Sequence, residues 1–420
     1  MVTGKGSVNQ KITRGDVRNL LSQDLGRLDL SGKKILVIIP DGTRTAPISM
    51  LFTTLCNILT RSAKRLDFLI ALGTHPVMPE GEIEKLVGMD AQERFQRFPN
   101  VSIFNHLWDV PNELETVGVI SSLDMEFLSG GLLTNQVPVR LNRRIHEYDQ
   151  IIICGPVFPH EVAGFSGGNK YIVPGIAGQE IIDVTHWLGA LVTNMEIIGD
   201  KDTPVRRVID KAASMIQTPV LCITLCMKGN DLHGLFIGSP EEAWSEAADL
   251  SSRINIIRVP QTYERVLSLP SPRYNDLWTA AKAMYKTEPI ISEGGEIIIY
   301  APQIEVISFT HQKTIQQLGY HVRDYFLKQW DLYKEYSGAV LAHCTHLRGV
   351  GTYEYGIERS RINVTLSTGI SRETCKEVNL GYRDPLEIDP QYWQASEDEN
   401  RLVVQNAGEY LYKVVDVVAP

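Results

Sequence analysis

Hydrophobic residues along this 420-residue chain come in short unbroken runs more often than in strict alternation. KKILVIIP (33–40), LDFLIALG (66–73) and YDQIIICGP (148–156) each have strand length, and runs without polar interruption suit parallel strands buried on both faces. Between the first two, Pro47 opens a segment whose apolar positions, Ile48, Leu51, Phe52, Leu55, Ile58 and Leu59, recur at helical spacing. Strand and helix therefore alternate, the pattern of a doubly wound α/β sheet. A hairpin follows in VLCITLCMKGNDLHGLFIG, turning at Gly229-Asn230, and SPEEAWSEAADL (239–250) reads as a capped helix.

The stretch VPQTYERVLSLPSPRYND (259–276) carries three prolines and reads as a domain junction. Beyond it, GEIIIYAP (295–302), GAVLAHCTHL (338–347) and INVTLSTG (362–369) read as further buried strands. The tail LVVQNAGEYLYKVV (402–415) reads as two strands around an Asn-Ala-Gly turn. The expected fold is two α/β domains with largely parallel sheets and an active site in the cleft between them. Residues 1–260, joined by the tail 395–420, form the first domain, and 270–394 form the second.

Polar residues gather at the ends of the first strands. KKILVIIP runs into Asp41-Gly42-Thr43-Arg44, LDFLIALG into Thr74-His75, and YDQIIICGP reaches His160 within four residues. Open parallel sheets bind ligands outside the carboxyl ends of their strands, so three strands deliver candidate chemistry to one edge. His106, after VSIF, is a looser fourth member. In GFSGGNKYIVPG (164–175), glycines 164, 167 and 168 allow close backbone approach to a ligand, and Lys170 sits among them. A Walker loop is excluded, because Asn169 and Tyr171 stand where glycine and Ser or Thr are needed. QEIIDVTHWLGALV (179–192) reads as a helix that projects His186.

Composition narrows the partners. A net charge of −9 without a basic block argues against nucleic acid. No run of about 18 apolar residues is present, nor a leader-like start, so a cytoplasmic protein without a membrane span is expected. Six scattered cysteines fit buried reduced thiols, with Cys222 and Cys226 on one strand face. On the residues alone, three readings stand: a zinc hydrolase or lyase using His75, His160 and His186, a non-catalytic small-molecule binder, and a cofactor seated on the Lys170 loop between two working histidines. A serine hydrolase is disfavoured, because FSGG is not a G-x-S-x-G elbow.

Taken together, D-G-T-R (41–44), G-T-H (73–75), P-H-x-x-A-G-F-S-G-G-x-K (159–170), D-x-T-H (183–186) and, more loosely, DLWTAAKAM (276–284) resemble the nickel-dependent lactate racemase family in order and approximate spacing. The resemblance implies a racemase or epimerase of 2-hydroxy acids that uses a nickel-pincer nucleotide, a pyridinium mononucleotide clasping nickel through sulfur and carbon. By the same resemblance Lys170 is the covalent tether, His186 the nickel ligand, and His75 and His160 the acid–base pair. Asp41, Gly42, Thr43, Arg44, Thr279 and Lys282 contact the cofactor, and Arg44, Trp278 and Lys282 hold the substrate.

The implied reaction takes the α-hydrogen as hydride, passes through a 2-keto acid, and needs one base for each enantiomer. Cofactor-synthesis enzymes are the implied partners. This chain has Thr279 where the family's lactate enzymes carry glutamine, and Trp278 where they carry tyrosine. The shorter side chain at 279 admits malate, an aryl-lactate or an aldonic acid as well as lactate.

Overall fold

The computed structural model describes residues 2–415, which pack as two compact units. The first comprises residues up to 158 together with 165–182 and 204–254, and the second comprises 159–164, 183–203 and 255 onward.

The first unit is built on a seven-stranded sheet. Its strands are β1 (Thr3–Gly6), β2 (Lys34–Ile39), β3 (Arg65–Ile70), β4 (Val101–Asn105), β5 (Gln150–Pro156), β6 (Val220–Lys228) and β7 (Asp231–Gly238), in the spatial order β1-β7-β6-β5-β2-β3-β4. The five strands from β6 across to β4 pair in parallel, while β7 and β1 close one edge antiparallel. The unbroken apolar runs are the interior strands, as expected, and every residue of β5 is buried.

Helix α1 (Ile48–Leu59) starts after Pro47 and buries Ile48, Leu51, Phe52, Leu55 and Leu59 against the sheet, with the Phe52 ring 4.7 Å from that of Phe68. Helices α2 (Gln179–Val192), α3 (Pro204–Ala213) and α4 (Pro240–Asn255) follow, and the division between the units falls inside α2 after Ile182. All six cysteines are free and buried.

The second unit holds a five-stranded, wholly parallel sheet: β8 (Tyr263–Pro270), β9 (Ile291–Ala301), β10 (Asn363–Thr368), β11 (Gly381–Tyr382) and β12 (Arg401–Ala407), ordered β11-β10-β9-β8-β12. Three expectations change here. The proline-rich stretch 259–276 is not a linker, because it contains β8, an interior strand of this sheet. Pro260 lies before that strand and Pro270 is its last residue, positions where no ladder N–H is needed.

The tail joins this unit rather than the first: β12 pairs with β8, and Leu411–Val414 pairs with Ile256–Val259. Residues 416–420 of the tail lie outside the described residues. Finally, 338–347 is not a strand but helix α5 (Gly338–Arg348), with every residue from Ala339 to Leu347 buried. A helix enclosed on all sides has no polar stripe, so its sequence shows no period to set it apart from a buried strand. Gly349, at φ +83°, ends it.

Candidate active site

In the first unit Ile39 of β2 pairs with Ile70 of β3, and Ile38 with Ile153 of β5, so the segments after these strands leave the sheet at one edge. Asp41 is the hub of that edge and is buried. Its Oδ1 accepts the Thr43 backbone N–H at 3.1 Å and the Thr43 hydroxyl at 2.6 Å, while its Oδ2 faces His75 Nδ1 at 2.5 Å. Burial alone would push this carboxyl upward, but the His75 ring, Arg44 and the Thr43 hydroxyl together hold it well below the usual carboxylate range. An anion opposite Nδ1 makes that nitrogen the N–H of the neutral imidazole and leaves the lone pair on Nε2. His75 keeps a quarter of its side chain exposed, so the ring that carries this base is open to a ligand. The motif reading placed Asp41 among the cofactor contacts; the geometry also makes it the orienter of His75.

The glycine-rich loop is clamped from below. Asn169 Nδ2 donates to Asp210 Oδ1 on α3 at 3.0 Å and to Glu241 Oε1 on α4 at 2.7 Å. Arg206, buried on α3, donates to the carbonyls of Gly167 and Phe165 and lies 4.1 Å over the Trp244 ring, whose Nε1–H donates to Ser166 O at 2.9 Å. Gly168, at φ +59°, sits against Trp244, where an added Cβ would come within 2.8 Å. At its far end the loop is tied to the carboxyl end of β3, the Gly73 N–H donating to Gly175 O at 3.0 Å. Lys170 is therefore held half-buried on an anchored turn rather than on a mobile one. On the same edge a Cβ added at Gly42 or Gly73 would clash with nothing, its nearest neighbours lying 3.9 and 4.0 Å away.

Asn169→Asp sets a third carboxylate between Asp210, already pushed up by burial, and Glu241. We expect it to cost about 1–3 kcal/mol of stability. Thermal unfolding checks this, and an unchanged midpoint would show that the amide does not anchor the loop.

His106 does not belong to this edge. It is 1% exposed and both ring nitrogens are engaged, Nε2 with Ala177 O at 2.9 Å and Nδ1 with Asn142 Nδ2 at 3.2 Å. It is a packing residue.

In the second unit His160 is buried, and the Val162 N–H donates to its Nδ1 at 3.1 Å. A donor opposite Nδ1 requires a lone pair there, so neutral His160 carries its proton on Nε2, the opposite tautomer from His75. Glu161, which the motif reading passed over, brings Oε2 to 3.5 Å from the same Nδ1. Burial pushes its carboxyl up, but His160, Lys282 and Lys286 outweigh that and keep it well below the ordinary value. Lys282 and Lys286, one helical turn apart, are both buried, and Lys282 lies 5.2 Å over the Tyr274 ring. Trp278 stacks on His343 at 4.1 Å, and the Thr279 hydroxyl donates to Asp276 Oδ1 at 2.7 Å, helping to cap its own helix.

In the D-x-T-H motif, Asp183 caps α5: its Oδ1 accepts the Ser337 hydroxyl at 2.6 Å and the Ala339 N–H at 3.0 Å. His186 follows one turn later on α2, and Trp187 stacks on Trp330 at 5.3 Å. The α5 histidines were hidden by the strand reading. Burial holds His343 down to about 3 and His346 to about 4, and nearby histidines lower them further, His346 and His311 for the first and His186 for the second. A helix stop at Arg348-Gly349 was the available signal for their true spacing. Among the described residues no three His, Cys, Asp or Glu side chains gather as a metal-holding set.

Buried neutral histidines give a pH prediction. His106 and His346 titrate near 4 and His343 near 3 in the fold, against 6.5 ordinarily. Between those values the unfolded chain binds protons that the folded chain does not, so stability falls as the pH drops from about 6.5 toward 4. Urea midpoints at pH 7.5 and pH 5 check this, and equal midpoints would contradict it.

Comparisons with known proteins bear on this arrangement. The model of the lactate racemase N-terminal domain matches residues 7–198. The lactate racemase of Thermoanaerobacterium thermosaccharolyticum is 26% identical over 306 residues, covering 70% of this chain and 67% of that protein. The lactate racemase of Lactiplantibacillus plantarum is 23% identical over 284 residues; the match spans 67% of this chain and 62% of that relative's length. Among solved structures, a Thermotoga maritima protein superposes with a TM-score of 0.88 at 31% identity over 96% of this chain and 99% of that one. The T. thermosaccharolyticum lactate racemase apoprotein superposes with a TM-score of 0.71 at 18% identity, covering 96% and 93%, which establishes the shared fold.

Proposed function

The chain belongs to the lactate racemase family, and on that premise we propose that it racemises or epimerises a 2-hydroxy acid, with a nickel-pincer nucleotide as its cofactor. The observation that carries the reading is the pair of oppositely set histidines. His75 is held by Asp41 with a basic Nε2, and His160 is held by Val162 with a protonated Nε2. A dehydrogenase working on one enantiomer needs one such group; inversion at a carbon bearing a hydroxyl needs a proton acceptor and a proton donor that exchange roles.

The residues present fit the cofactor. Gly42 and Gly73 carry no side chain into the edge beside Asp41 and His75, where a flat ring would lie, and Arg44 supplies a cation for a nucleotide phosphate. Lys170 offers a primary amine on an anchored turn for acylation, and His186 offers one imidazole to a metal whose other ligands the cofactor brings. When bound, this group supplies the centre that takes up the α-hydrogen as hydride and returns it.

The chain's own side chains do the rest. His75 takes the hydroxyl proton, His160 gives one back, and Arg44 and Lys282 offset the substrate carboxylate and the alkoxide. Thr279 and Trp278 line the substrate end, where lactate or a larger acid such as malate, an aryl-lactate or an aldonic acid fits the shorter side chain. A pure binding protein has no use for a base oriented as His75 is by Asp41.

Protein made together with the cofactor-synthesis enzymes, then given enantiopure lactate, malate, aryl-lactates and aldonic acids one at a time, should convert one class toward its equilibrium mixture, read by chiral chromatography. Stoichiometric zinc, no mass adduct and no conversion would overturn the proposal.

A further inference from the structure

Glu161 is largely buried, yet its Oε2 has no hydrogen-bond partner among the described residues. A buried carboxylate oxygen without a donor is costly unless a donor arrives during function. A candidate donor is His160 Nδ1, 3.5 Å away, now occupied as acceptor of the Val162 N–H. That arrangement suits neutral His160 with its proton on Nε2. It does not suit imidazolium, whose Nδ1–H would oppose the Val162 N–H donor to donor.

We propose that Glu161 is a positioning residue for His160, its Oε2 accepting the Nδ1–H when the ring becomes imidazolium, in exchange for the Val162 contact. The inference rests on the reading of His160 as one of the two proton-moving histidines. The protons balance as follows. A solvent proton adds to the Nδ1 lone pair and is held by Glu161. The Nε2 proton is then free to pass to the substrate oxygen. The ring that remains is neutral with Nδ1–H still on Glu161 and a lone pair on Nε2, ready to act as base in the opposite direction. Without Glu161 the ring returns to the Val162-bonded tautomer, whose Nε2 has no lone pair to offer.

The other charged and titratable groups facing Glu161 are Lys282, Lys286, His343 and His346. The two lysines oppose a cation at His160, so the carboxylate is what makes imidazolium tolerable there. Their need for a counter-ion is also why Glu161→Gln could cost stability.

The test is a pH titration of cofactor-free protein labelled with ¹⁵N-histidine, with His160→Gln assigning the His160 signals. In wild type, protonation of His160 should carry with it a change in the Val162 amide proton shift, as that N–H loses its acceptor. In Glu161→Gln the midpoint should fall by about one unit or more, a tenfold or greater loss in proton affinity. Equal midpoints in the two proteins would overturn the proposal. So would a Val162 amide that stays constant through the wild-type titration, a reading that does not depend on the variant folding. These signals need no turnover, so a wild-type holoenzyme that converts no 2-hydroxy acid would overturn the functional reading separately.

Discussion

Lys170→Ala, produced alongside the cofactor-synthesis enzymes, should have the intact mass of its polypeptide and nothing more, while wild type is heavier by the bound nucleotide. The loop geometry explains why one residue decides this. Asn169, Arg206 and Trp244 fix the backbone on either side, so the amine is presented in one place, and no second lysine lies between residues 86 and 200. Lys170→Arg should behave like alanine, since it preserves the charge but a guanidinium does not form the amide-type link. Racemase activity should fall at least about a hundredfold in both, because an untethered cofactor loses its fixed orientation to the reacting carbon. Thermal midpoints near wild type would confirm that the fold survives. An adduct that persists in Lys170→Ala would place the tether elsewhere and remove the main support for the cofactor assignment.

Asp41→Asn is expected to be the most damaging conservative substitution. Thr43 directs both its N–H and its hydroxyl at one carboxylate oxygen, so the asparagine oxygen settles there and the amide NH₂ turns toward His75. A donor facing Nδ1 forces the lone pair onto that nitrogen and the proton onto Nε2, the wrong tautomer for a base. The loss in kcat should be about 10³–10⁴-fold, the scale seen when a catalytic histidine is held in the wrong tautomer, with little change in KM. Because kcat/KM in the two directions is tied by the equilibrium constant, both directions must slow by the same factor. A kcat within tenfold of wild type would show that Asp41 serves the cofactor alone, as the motif reading had it.

Much of this protein was legible from its sequence. Interior parallel strands announce themselves as unbroken apolar runs, because burial on both faces removes any alternation; β2, β3 and β5 were found that way. The residues just beyond them, Asp41, Thr43, Arg44 and His75, then follow from the rule that such sheets are used at their carboxyl edge. Helix α1 showed its helical period because only one of its faces is buried. The same logic explains the failures. Helix α5 is enclosed on every side, its period is erased, and His343 and His346 vanished into an apparent strand. The prolines around β8 read as a linker because composition alone does not show whether a proline interrupts a strand or stands at its end.

What tertiary structure alone decided is which groups act on which. Motif spacing determined that Asp41, His75, His160, Lys170 and His186 are present in order. It did not determine that Asp41 and Val162 impose opposite tautomers on two histidines 85 positions apart. Nor did it show that Asn169 is held by carboxylates 41 and 72 residues further on, or that Glu161 stands beside His160 and two buried lysines with an oxygen to spare. The physical reason is common to all three. Residue type and local period are properties of a segment, whereas protonation state, tautomer and ion pairing depend on partners that only folding brings within about 3 Å.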